Sequence, residues 1–98
     1  MSGNEQRKVA DLLSEASAAH NAYEQRELGG VYDQQWPSWY ATYLVEHGIG
    51  ELIDKAITTE KLAQLLTEYD TNYRTEHRQE AWPDYYAAQL LEYGKEKL

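Results

Sequence analysis

The stretch "WPSWYATYLVEHG" (residues 36–48) returns as "WPDYYAAQLLEYG" (residues 82–94), 46 positions later. Seven of the thirteen positions are identical: Trp36/Trp82, Pro37/Pro83, Tyr40/Tyr86, Ala41/Ala87, Leu44/Leu90, Glu46/Glu92 and Gly48/Gly94. At two more, Trp39/Tyr85 and Val45/Leu91, the character stays aromatic or aliphatic. Proline loses no hydrogen bond at the first position of a helix, where the N–H has no partner, and glycine commonly ends one. Each copy therefore reads as a helix opened by Trp-Pro and closed by Gly.

Working outward, each copy follows a longer amphipathic stretch. Val9, Leu12, Leu13, Ala16, His20 and Tyr23 recur three and four apart, which predicts a first helix over about 4–28, stopped by Gly29-Gly30. Ser2-Gly3-Asn4-Glu5 has the form of a capping box. Residues 29–35 read as a loop. After the first copy, Ile49, Leu52, Ile53, Ala56 and Ile57 share a face and predict a short helix. Thr58 is a helix cap, and Leu62, Leu65, Leu66, Tyr69 and Tyr73 predict a helix over about 59–78. The last helix runs from Pro83 to about 96, with Lys95 and Lys97 favourable at its negative end. No stretch alternates with period two. The expected fold is all-α: a compact single-domain bundle of two pseudo-repeated αα-hairpins, about 4–48 and 58–96, with four main helices and one short one. Neither hairpin alone can bury its apolar face; two packed together can.

The bulk properties exclude several functions. The 98 residues are enough for one modest core, and the absence of cysteine removes disulfides, thiolate metal sites and cysteine nucleophiles. There is neither a membrane-length apolar run nor a signal-peptide pattern at the N-terminus, so a soluble, cytoplasmic protein is expected. The net charge of −8 opposes binding to nucleic acid or anionic lipid. The plain reading of that charge is solubility; the sharper one is a decoy for a basic surface.

The first copy, preceded by "AHNAYE" (residues 19–24), resembles a signature of small all-helical bacterial proteins. The resemblance covers mainly residues 19–48 and is echoed in 82–94. It implies no activity, and no functional residue is carried over from it. Direct searches for chemistry yield little. His20 and Glu24, four apart on one helix, are candidate metal ligands; His77 with Glu80 and His47 with Glu46 are further pairs, but no stronger metal motif appears. None of the serines sits in a nucleophile elbow, no glycine loop cradles phosphate, and no cofactor is called for.

The aromatic content is the most informative feature left. There are nine Tyr and three Trp but no Phe, so each of these rings carries both an apolar body and a hydrogen-bonding tip. On the second and fifth helices the apolar arc exceeds the roughly 100° stripe a core demands. The excess needs more of this chain, a second copy, another protein or a small ligand. Tyr40 with Leu44 and Tyr86 with Leu90 are expected to face the core. Trp39, Tyr43 and Tyr85, joined by Tyr32 from the first loop, are expected at a half-buried seam for a partner. The expected function is a non-enzymatic interaction or regulatory module, as a homodimer or with a protein partner. The alternative is a small metal- or ligand-binding protein, with or without activity, centred on His20 and Glu24.

Overall fold

A computed structural model describes residues 2–30 and 33–96, with side chains from residue 5 onward. The side chain of the Ser2 cap, and Tyr32 and Lys97 altogether, therefore lie outside what is described. Five helices follow in order: α1 (Ser2–Glu27), α2 (Trp36–Glu46), α3 (Ile49–Leu52), α4 (Thr59–Thr75) and α5 (Trp82–Glu96). No strand occurs among the described residues, and the fold is the expected all-α bundle of two hairpins. At 1.5 Å per residue the 26 residues of α1 span about 39 Å, matching the 41 Å long axis of the molecule.

The helix ends have local causes. Gly29 and Gly30 both take positive φ, 61° and 84°, and the Gly30 N–H reaches back to the Glu24 carbonyl at 2.9 Å. This glycine-dependent closure terminates α1. At the start of α4 the Thr58 hydroxyl accepts from the Lys61 N–H at 3.1 Å, the N-cap expected there. The short helix is shorter than its apolar spacing predicts. Asp54 accepts from the Ala56 N–H through its side chain and from the Ile57 N–H through its carbonyl, which turns the chain out of the helix. Ala56 is consequently exposed.

Packing runs mainly between the hairpins. α1 lies chiefly against α5 and α2 chiefly against α4, with lesser contact inside each hairpin. The core is assembled from Val9, Leu13 and Ala16 of α1, Ala41 and Leu44 of α2, Leu62 and Leu66 of α4, and Ala87 and Leu90 of α5, all fully buried. Two of the repeat identities, Ala41/Ala87 and Leu44/Leu90, are thus core positions. Among the described residues no helix is long and apolar enough to cross a membrane.

The final glycines of the two copies differ. Gly48 has φ 88° and ends α2, with nothing near the place a Cβ would occupy. Gly94 lies inside α5, and a Cβ there would collide with the Ile53 carbonyl and stand 3.2 Å from the Ile53 Cα. The second glycine is therefore a close-packing site, and α5 continues through it. Gly94→Ala is expected to cost about 2–3 kcal/mol by overpacking, and Gly48→Ala about 1 kcal/mol through its left-handed backbone. Urea denaturation of the two variants checks the order.

Candidate functional site: an aromatic cleft at the hairpin seam

The cleft begins with a buried polar anchor. The apolar stripe of α1 carries His20 inward, where it is 6% exposed. Its Nε2 lies 2.9 Å from Oδ2 of Asp33, itself 8% exposed, and its Nδ1 lies 4.0 Å from Glu24 Oε1. Both ring nitrogens therefore face carboxylates, and Nε2 donates to Asp33. Asp33 in turn receives the Gln35 N–H on Oδ1 at 2.8 Å and gives its own N–H to Glu24 Oε2 at 3.2 Å. Its carbonyl accepts from the Trp36 N–H. This network fixes the entry of α2, and with it the direction in which Trp36 and Tyr40 project.

Around this anchor the repeated Trp-Pro segments meet. Trp36 stands edge-on to Tyr40 at 5.6 Å between ring centroids, and Trp82 edge-on to Tyr86 at 5.0 Å. Tyr40 and Trp82 join the two pairs across the hairpins at 6.2 Å, and Tyr73 extends the chain of rings from Tyr86 at 6.4 Å. These five rings line a solvent-open cleft of about 430 Å³, with His20, Glu24, Asp70 and Arg74 as its polar lining. That volume lies within the usual range of small-molecule sites. Asp70 Oδ1 accepts from the Tyr86 hydroxyl at 3.2 Å and from Arg74 Nε at 3.1 Å.

Both phenols of the cleft are displaced upward. Burial pushes Tyr40 above the ordinary phenol range, against the Ser17 side chain and with a smaller push from the Glu24 charge. Burial, followed by Asp70, pushes Tyr86 up further, with Arg74 acting the other way.

The aromatic residues expected at a half-buried seam divide. Trp39 and Tyr43 are half-buried and stack at 5.6 Å with planes 14° apart. Tyr43 stacks on His47 at 3.8 Å, and Trp39 also contacts Tyr23 and His20. Tyr85 is not at a seam: it is 5% exposed and belongs to the core. The turn after α4 folds over it, placing the Arg78 guanidinium 4.8 Å from its ring centroid, while Tyr73 packs beside it. Glu76 and Glu80 hold Arg78 in place. A helical wheel of α5 does not contain that turn.

His20 and Glu24 come together, but with Asp33 as the third member. Among the described residues no group of three or more His, Cys, Asp or Glu side chains is arranged to hold a metal ion. His47 is exposed at the end of α2, where its Nδ1 donates to the Tyr43 carbonyl at 2.7 Å. His77 is exposed in the turn after α4, and Glu80 is engaged by Arg78.

Sequence reasoning missed Asp33, Asp70 and Arg74. The signal for Asp33 was its position three residues before a Trp-Pro helix start, where Asp commonly bonds the backbone two residues on. Nothing local marks Asp70 or Arg74, an ordinary i,i+4 pair until Tyr86 arrives from α5.

Comparison with protein-family models, curated proteins and solved structures finds no match. The resemblance of residues 19–48 therefore rests on the motif alone.

Removing His20 leaves Asp33 buried without its ring partner. His20→Ala is expected to cost about 3 kcal/mol, in the range for breaking a buried pair. It is also expected to loosen residues 33–36, read as faster amide exchange at Gln35 and Trp36. Equal stability and unchanged exchange would remove the anchor role.

Proposed function

We propose that the chain is a non-enzymatic recognition module and that its binding element is the aromatic cleft at the seam of the two hairpins. The observation carrying this reading is the convergence there of both Trp-Pro segments: Trp36, Tyr40, Trp82 and Tyr86 form one continuous chain of ring contacts that lines an open cleft. Interface and ligand sites favour Trp and Tyr because they bury area while offering a polar tip. The polar groups argue for binding over catalysis. His20 is only 6% exposed and its Nε2 is bonded to Asp33, whereas a general base has to come within hydrogen-bond reach of the proton it takes.

Fragment screening by NMR tests this reading. Hits are expected to shift the indole signals of Trp36 and Trp82 together, leaving residues on the outer face of α4 unmoved. A screen with no hits, or with hits elsewhere, overturns it.

A second reading, self-association, has its own observation: the Trp39–Tyr43–His47 stack lies along the exposed side of α2. Under that reading light scattering gives a dimer at high concentration, and Trp39→Asp returns a folded monomer. A monomer at all concentrations rejects it.

A further inference from the structure

The cleft has a charge as well as a shape. Glu24 projects into it from α1 and Asp70 from α4, and Asp33 lies directly behind His20. Three carboxylates thus surround the aromatic lining, against one guanidinium, Arg74, and one imidazole. The balance is negative whether or not His20 carries a proton. Arg74 is 70% exposed at its side chain and bonded to Asp70, so it sits at the rim rather than across the floor. Among the described residues Glu24 has no Lys or Arg ion-pair partner; it accepts from the Asp33 N–H and lies 4.0 Å from His20.

An anion is repelled by this lining. A neutral apolar ligand would strip water from two carboxylates without replacing it. A hard metal ion needs several oxygen ligands at close range, which the described residues do not assemble. A cation with an apolar skin meets every condition: π-faces attract it, it needs no fixed hydrogen-bond acceptor, and the carboxylates supply long-range attraction.

We propose that the cleft binds an organic monocation of the alkylated-ammonium class, its positive head against the partly exposed rings of Trp36, Tyr40 and Trp82 and within the field of Glu24 and Asp70. This rests on the reading of the cleft as the recognition element and names its ligand chemistry. Two sources present the same head group, a free small molecule and the end of an alkylated lysine side chain; the chemistry is shared.

The test uses choline and its uncharged carbon isostere, 3,3-dimethylbutan-1-ol, titrated into the whole protein and followed through the three indole signals. Trp39 is outside the cleft lining and acts as the internal control. For so small and open a contact, choline is expected to bind with a dissociation constant of about 1 mM. It should shift Trp36 and Trp82 well beyond Trp39, and the isostere should bind about fivefold or more weakly. Glu24→Gln keeps an acceptor for the Asp33 N–H and is expected to weaken choline about threefold or more while leaving the isostere unchanged. Trp82→Leu keeps apolar bulk but removes a π-face, and should weaken choline selectively. A trimethyllysine peptide binding more tightly than choline identifies a side chain as the source of the cation; weaker binding identifies a free small molecule. Equal binding of choline and its isostere, or indifference of choline to Glu24→Gln, overturns the cation assignment while leaving the cleft a ligand site. If neither compound moves Trp36 and Trp82 while screening fragments do, the assignment again fails alone; if the fragments fail too, the recognition reading falls with it.

Discussion

Everything in this molecule depends on apolar burial between the hairpins rather than within them. α1 finds its main partner in α5, and α2 in α4. An amphipathic helix of this kind owes its stability chiefly to the face it buries. Leu13, Leu44, Leu66 and Leu90 come from four different helices and all are fully buried. The seam where this exchange takes place also brings the two Trp-Pro openings together. The cleft is thus a by-product of the same packing: the leucines lie at the core of the seam and the larger rings line its end.

The polar parts follow from that arrangement. Burying His20 without a partner would cost several kcal/mol, about the range for an unsatisfied polar group, and Asp33 provides one from the loop. Among the described residues no buried side-chain nitrogen or oxygen lacks a hydrogen-bond partner. The choice of Tyr and Trp over Phe suits this economy: the Tyr86 hydroxyl meets Asp70, the Tyr69 hydroxyl a carbonyl of α5, and the Tyr73 hydroxyl the Glu80 carbonyl.

Much of the fold is legible in the chain because its causes are local. Pro37 and Pro83, Gly29-Gly30 and Thr58 act within a turn of where they stand, and their helices start or stop accordingly. The limits appear wherever a cause is distant. Tyr85 looks like a flank residue on its own helix; only the Arg78 turn folded over it makes it core. Gly94 looks like the counterpart of Gly48, yet its lack of a side chain answers to the Ile53 backbone, 41 residues away in sequence. His20 and Glu24 were visible as a helical pair, whereas Asp33 lies in a loop that has no periodicity to betray it. The cleft itself draws its lining from α1, α2, α4 and α5 together, which no single helix encodes.

The exchange of partners between hairpins also governs the order in which the chain can fold. The face of α1 ends at Glu27, while the helix that covers it begins only at Trp82. During synthesis the core-facing side of α1 must therefore emerge uncovered and wait for the last helix before it can dock. Such long-range closure slows folding and leaves apolar surface open to other chains in the interval.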